Sequence, residues 1–432
     1  MYKMLTKPVS NCIIAAMLLC NTNVLQAQTK TDTLRLSINE TEKRFIDSNL
    51  VLLAAHYNID ANKALIEQAK LWDNPVLSTD QNIYADGKFF EHGKDNATGQ
   101  PTGQYFIQVQ QLIKTAGKRG KLINLATTNA KLSELQLNDV LRNLRYQLRQ
   151  DYFTILQQLK NKKIAENSLV QLNRLLVAQE AQLKAGNIAE KDYLRIQAVV
   201  ISLQQDLLDM DKSIADNQND LKTLLQIKGD SFIYPTETDN IAVNAATTAD
   251  ELFNVAKQNN AYYQLQQTQT LFQQQNLVYQ KSLRSPDLTI GTEYDHNSNY
   301  APHYVGLSIS LPLPIFNKNQ GNIKSAGFAI KQQETIVLSA ETELRNNITG
   351  AYNKLLLTLQ QNNEQNKAFY TKYQNMFKNM LQSYQQKQIG LLEFLDFFDA
   401  YKDAELRQVQ QQLNLQLAKE EVNYHVGTNI IK

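Results

Sequence analysis

Apolar residues recur at helical spacing along two long stretches of the chain. Leu141, Leu144, Leu148, Tyr152, Ile155 and Leu159 step by 3, 4, 4, 3 and 4, and Leu169, Leu172 and Leu176 continue with 3 and 4. That is the seam of a coiled coil. The pattern predicts a helix from Lys114 to Lys184, ~105 Å long at 1.5 Å per residue, and a second of about the same length from Asn317 to Lys387. Both far exceed an ordinary globular helix. Their other faces are rich in Gln, Asn and Lys, which expect water.

Between the helical stretches the period changes to two. Val305, Leu307, Ile309 and Leu311 alternate with Gly306, Ser308 and Ser310. Tyr105, Ile107 and Val109 alternate with Phe106, Gln108 and Gln110, and Leu288, Ile290 and Tyr294 with Gly291, Glu293 and Asp295. Alternation alone fits a half-buried antiparallel sheet as well as a lipid-facing barrel strand.

The whole pattern is written twice. Ser37-Ile38-Asn39-Glu40 is a capping box, and Thr248-Ala249-Asp250-Glu251 is another, 211 residues on. The same shift relates Asn49 to Asn260, Pro75 to Pro286 and Leu77 to Leu288. It then shortens to 200, pairing Val109 with Ile309 and Tyr152 with Tyr352. The lost residues fall between the strands, where residues 86–103 form a longer polar loop than 295–303; a solvent-facing hairpin loop tolerates such variation. Each half reads as helix, strand, loop, strand, very long helix, turn, helix. The fold class is mainly α with a small β part. Four strands cannot close a barrel alone, so the repeat implies an oligomer.

The first residues change the picture. Lys3 and Lys7 precede an apolar stretch from Cys12 to Cys20, and Leu25-Gln26-Ala27 offers a small residue at a cleavage point. This reads as a signal peptide over 1–27, with a lipid-anchored start at Cys20 as the alternative. Removal of 1–27 takes away both cysteines and two of the 44 basic residues, leaving 42 against 42 acidic ones. A neutral, cysteine-free chain offers no disulfide and no basic face for nucleic acid. Beyond residue 27 no apolar run reaches the roughly 18 residues of a membrane-spanning helix. The remaining divisions are a first repeat over 28–227, a linker over 228–247 and a second repeat over 248–432.

The stretch "SLPLPIFNKNQGNI" at 310–323 marks a passage from sheet to helix. Pro312 and Pro314 cannot donate to a ladder and end the strand. Asn317 is placed to cap a helix running past Gly321 and Asn322. "LIKTAGKRGKL" at 112–122 makes the same passage with Gly117 and Gly120.

From Ser37 to about Val426 the chain resembles the TolC-type outer-membrane efflux family. The resemblance rests on the duplication, on "WDNP" (72–75) and "RSPD" (284–287), on the "LPLPIFNKNQGNI" passage and on "GLLEFLDFFDA" (390–400). The passage is most similar to the heavy-metal cation efflux branch. The resemblance implies a homotrimer whose twelve strands, four per chain, form an outer-membrane barrel above a long periplasmic α-helical barrel. Implied partners are outer-membrane lipid, a periplasmic adaptor (membrane fusion) protein and an inner-membrane pump of the RND type. The channel would be a passive exit duct for small solutes, including metal cations. The alternative is a periplasmic coiled-coil scaffold or adaptor with no channel.

Gly186 and Gly390 each interrupt a helical pattern and each has an aspartate six residues on, Asp192 and Asp396. Paired at that offset of 204, they read as two hairpin tips, with Asn187 and Leu391 beside them. The resemblance implies that the tips contact the adaptor and that Asp396 and Asp399 line a constricted gate. A ring of carboxylates favours cations. Taken alone, an acidic pair three apart is usually a solvated stripe. The family's gate also uses a tyrosine three residues before the tip glycine and an arginine two after it; counted from Gly390 those positions are Lys387 and Leu392. Counted from Gly186, Arg195 replaces the second aspartate. Phe394, Phe397 and Phe398 read as helix packing. Of five histidines, only His296 and His303 lie near one another, in an expected surface loop. No nucleophile–base, phosphate-cradle, zinc or cofactor motif is present, so a non-enzymatic role is expected.

Overall fold

The computed structural model describes residues 32–85, 87–91, 93–99, 101–236 and 247–431. The signal-peptide segment, His92 and residues 237–246 of the linker lie outside these. The first half contains β1 (Thr33–Leu36), α1 (Ile38–Ser48), α2 (Leu50–Lys70), β2 (Val76–Gln81), two tiny hairpins β3 (Tyr84–Ala85) with β4 (Lys88–Phe89) and β5 (Gly93–Lys94) with β6 (Pro101–Thr102), β7 (Tyr105–Ile113), α3 (Lys118–Lys184), α4 (Glu190–Leu224) and β8 (Phe232–Pro235). The second contains α5 (Ala249–Asn259), α6 (Ala261–Ser282), β9 (Leu288–Asn297), β10 (Pro302–Ser310), α7 (Gln320–Gln361), α8 (Glu364–Gln385) and α9 (Leu391–Val426).

Both capping boxes form as expected, at Ser37–Glu40 and Thr248–Glu251. Each helix they open stops after eleven residues, because an asparagine intervenes. Asn49 Oδ1 accepts from Val51 and Leu52 N–H and starts α2, while its Nδ2 donates to the Leu224 carbonyl at 2.9 Å. Asn260 Oδ1 accepts from Tyr263 N–H and starts α6, while its Nδ2 donates to the His425 carbonyl at 2.9 Å. Each asparagine thus serves one helix start and one helix end. α4 abuts α2 and α9 abuts α6, so each pair acts as one interrupted rod.

α3 runs unbroken for 67 residues, ~100 Å. It packs against α2 and α6 over one part of its length and against α4 and α9 over the rest. α7 lies on α6 and α9, and α8 on α9. Four helical strands therefore lie side by side. The predicted seam is buried: Leu148, Tyr152 and Ile155 are fully enclosed, with Leu141, Leu144 and Leu159 against them, and Leu172 sits in a second cluster with Leu169 and Leu176. The helix expected over 317–387 is instead two. Asn362 takes φ −89° and ψ 36°, and Asn363 caps α8 by accepting from Asn366 N–H. Asparagine side chains compete with the helical backbone for its own groups, and this run supplies two in succession.

Strands β10, β9, β7 and β2, in that order, form one antiparallel sheet. Leu307 pairs with Thr292, Thr292 with Val109, and Val109 with Leu77, so the alternation expected for β7, β9 and β10 holds and Leu77 of β2 joins the same face. A second ladder was not apparent in the pattern. β1 pairs in parallel with β8, inside the segment assigned as linker. Tyr152 Oη lies 2.9 Å from both the Leu36 and Thr236 carbonyls beside this ladder, and Gln218 exchanges two bonds with the Ile233 backbone.

Candidate functional site

The four-stranded sheet has two unlike faces. One carries Leu77, Ile107, Val109, Val305, Leu307 and Ile309, with Leu307 72% exposed. A water-facing sheet does not present such a row. The other face carries Gln108, Gln110, Glu293, Asp295 and Ser308. Gln108 Nε2 donates to Glu293 and to Ser308 Oγ. Gly291 lets the strands close there, since a Cβ would meet Ser308 Oγ at 2.7 Å and Gln110 Cγ at 2.8 Å. Apolar outside and polar inside is the arrangement of a membrane barrel wall. β2 and β10 are its edges.

Charged clamps tie this sheet to the helices. In "WDNP", Asp73 pairs with Lys114 at 3.0 Å and Trp72 lies under the Arg119 guanidinium at 4.1 Å. In "RSPD", Asp287 accepts from the nearly buried Lys118 Nζ at 2.6 Å and from Thr115 N–H. Each motif places an aspartate just before its strand, though at different positions: the shift of 211 aligns Asp73 with Arg284 and Asp287 with Val76. The strand before Pro312 and Pro314 ends at Ser310, as the prolines require. The helix after them starts from Asn319, not Asn317. Asn319 sits at φ 58° and donates to the Gln280 carbonyl, while Asn317 Oδ1 only accepts from Asn319 N–H. Gly117 occupies the matching left-handed position before α3. Gly321 and Gly120 lie within the first helical turns with open space around them, so neither makes the passage.

At the far end of the helices the tips correct the expected pairing. Gly186 reverses the first hairpin at φ 74°, with Asn187 N–H donating to the Gln182 carbonyl. In the second hairpin the left-handed residue is Lys387, at φ 58°, with Gln388 N–H donating to Ser383. Gly390 has φ −78° and ψ 162° and is the helix-start residue of α9, equivalent to Ala189 before α4. The halves are therefore related here by 201 residues rather than 204, and Asp192 corresponds to Glu393, not to Asp396. Counted from Lys387, the positions three before, two after, six after and nine after are Tyr384, Ile389, Glu393 and Asp396. Those positions hold a tyrosine, an isoleucine and two acids.

Asp396 and Asp399 are exposed on α9, opposite the buried Phe394, Leu395 and Phe398. Those phenylalanines are packing residues: Phe394 stacks on Tyr384 at 4.9 Å, and Phe398 lies 6.1 Å from Phe377. Burial, reinforced by Asp403 and Asp396 and opposed by Lys402, holds the Asp399 carboxyl above its usual range. Burial first, and then the half-buried Asp192, push the Tyr384 phenol up. Asp192, at the first tip, is thereby placed against the second hairpin. Gly186, Asn187 and Lys387 are exposed, and Leu391 is half-buried.

A helical body of four parallel-lying rods, an apolar-faced sheet at one end and two hairpin tips at the other define the TolC-type channel fold. Comparison with known proteins agrees. Residues 43–225 match the family model described as Outer membrane efflux protein. The cobalt-zinc-cadmium resistance protein CzcC of Cupriavidus metallidurans is 25% identical over 311 residues, 71% of this chain and 70% of that protein. A crystal structure of CusC superposes with a TM-score of 0.71 at 16% identity, covering 94% of this chain and 96% of that one. VceC of Vibrio cholerae gives 0.69 at 14% identity, covering 90% and 96%. The first half of the chain thus matches the outer membrane efflux family model, and the whole chain shares the fold of the solved channels.

Proposed function

We propose that three copies of this chain form the outer-membrane exit duct of a tripartite efflux system, passive in itself and supplied by an inner-membrane RND-type pump through a periplasmic adaptor. The observation that carries this is the sheet: one apolar face, one polar face and two edge strands. Edge strands pair with further strands when nothing blunts them. Pairing β2 of one copy with β10 of the next closes a barrel with lipid outside and water inside. The helices then extend into the periplasm, and the tips meet the adaptor through Gly186, Asn187, Gly390 and Leu391.

Glu393 and Asp396, with Asp192 from the first tip, form the periplasmic gate in this reading, and Asp399 lies about one turn further along the same face. Repeated in three copies, these carboxylates favour cations over anions. The CzcC relative is named for resistance to cobalt, zinc and cadmium, and divalent metal cations are accordingly the proposed cargo. Reconstitution in a planar bilayer tests the duct: a discrete conductance, blocked by multivalent cations from the tip side, is expected. Glu393→Gln with Asp396→Asn should weaken that block more than Asp399→Asn does. A water-soluble monomer without conductance would refute the duct, and equal block in all variants would refute the gate alone.

A further inference from the structure

His296 and His303 are not in a loop. They stand at the outer ends of β9 and β10, flanked by the pairs Pro302–Asn297 and Tyr304–Asp295. That register sets the two histidines directly opposite one another, on the same face as Tyr294 and Val305. Directly opposed cross-strand side chains are the closest neighbours a sheet provides. His303 is held at φ 58°, an uncommon conformation for a residue with a side chain.

We propose that this pair is a binding site for a divalent transition-metal ion. Three observations carry the proposal. The ring centroids are 4.9 Å apart. A metal 2.0–2.1 Å from one nitrogen of each ring, at a near-tetrahedral angle, holds the centroids about 5 Å apart. Next, Nδ1 of His303 is engaged with Tyr294 Oη at 2.8 Å, which leaves Nε2 as the nitrogen open to a metal. A metal-binding imidazole typically has its second nitrogen fixed in this way. Finally, Nδ1 of His296 is buried and bonds to nothing among the described residues. A metal bond would satisfy it. Tyr105 stacks on the His296 ring at 4.8 Å and fixes its plane.

Imidazole nitrogens select zinc, copper or nickel over calcium or magnesium. Among the described residues no third His, Cys, Asp or Glu completes the set. Asp295 points to the opposite face, so solvent fills the remaining positions. The site lies at the far end of the molecule from the hairpin tips and is independent of the duct reading: it requires only the β9–β10 hairpin.

The test uses the purified full-length protein in detergent, titrated with Cu²⁺ and followed by electron paramagnetic resonance. One copper per chain with two-nitrogen splitting is expected, lost in His296→Gln/His303→Gln. Tyr294→Phe should weaken binding about tenfold while retaining both nitrogens. A spectrum unchanged in the double variant overturns the proposal. A second measurement needs no variant: Zn²⁺ should protect His296 and His303 together from diethyl pyrocarbonate, read by peptide mass spectrometry, while the exposed His56 stays reactive. Equal labelling of the pair with and without Zn²⁺ also overturns it.

Discussion

Replacing Asn260 with alanine breaks two bonds at the joint between α9 and α6. The Tyr263 N–H loses its side-chain acceptor, a helix-start bond worth about 1 kcal/mol. The His425 carbonyl, part-buried, loses its donor and keeps about 1–3 kcal/mol of unpaid desolvation. Together these give about 2–4 kcal/mol per chain. At ~2.1 cal/mol/K per residue, a folded part of about 400 residues has an unfolding entropy near 0.8 kcal/mol/K, so the midpoint should fall by about 2–5 °C. Differential scanning fluorimetry in detergent at one fixed scan rate measures this. Hydrogen exchange supplies the local readout, with faster exchange confined to the first turn of α6 and the last of α9. Asn260→Asp separates the contributions, since it keeps the acceptor for Tyr263 and loses only the donor to His425. Asn49→Ala should behave alike at the α4–α2 joint. An unchanged midpoint with unchanged exchange in Asn260→Ala would refute the idea that these asparagines hold the interrupted rods end to end.

Gly427→Ala should cost well over ~2 kcal/mol, because the residue sits at φ 83° and a Cβ would lie 2.6 Å from the Asn259 carbonyl oxygen. Gly186→Ala, also left-handed but in open space, should cost about 1 kcal/mol; thermal denaturation of the two compares them. Asp151 has its carboxyl pushed up to about 6 by burial and then by Asp220, and its Oδ2 has no partner among the described residues. An acid whose folded value is raised disfavours the fold when ionised, so stability should increase as pH falls from 7 toward 5, by about 1 kcal/mol or less after allowing for solvent access. Asp151→Asn should be the more stable protein at pH 7.5 and should flatten that dependence, measured by melting across pH. Lys118→Met leaves Asp287 without its cation and should cost about 1–3 kcal/mol, with loosening detected by proteolysis at the sheet–helix junction.

Much of this architecture was legible before any coordinates, and for definite reasons. The seam through Leu148, Tyr152 and Ile155 is periodic over many turns, so local error averages out. The strands alternate because one face meets a different medium from the other. The second tip misled because glycine is the usual residue for a left-handed helix end. There Lys387 accepts the positive φ, and Gly390 sits where the backbone is extended. One displaced anchor shifted the register between the two tips by three residues. The Tyr384–Phe394 stack and the matching turn bonds restore the register, and neither is visible in one dimension. The β1–β8 ladder escaped notice because each strand has four residues, too few to show a period. The break at Asn362 carried a signal in the Asn362-Asn363 pair, outweighed by the helical pattern around it.

That short parallel ladder bears on the order of assembly. Its two members are separated by nearly the whole first half, and Tyr152 sits against both of their flanking carbonyls. As the chain emerges N-terminus first, the leading ribbon has no mate until residue 235 has followed it. The two sister halves are consequently not modules of equal standing: a cut at 227 would orphan the leading ribbon, whereas a cut after 236 would keep both of its members in one piece.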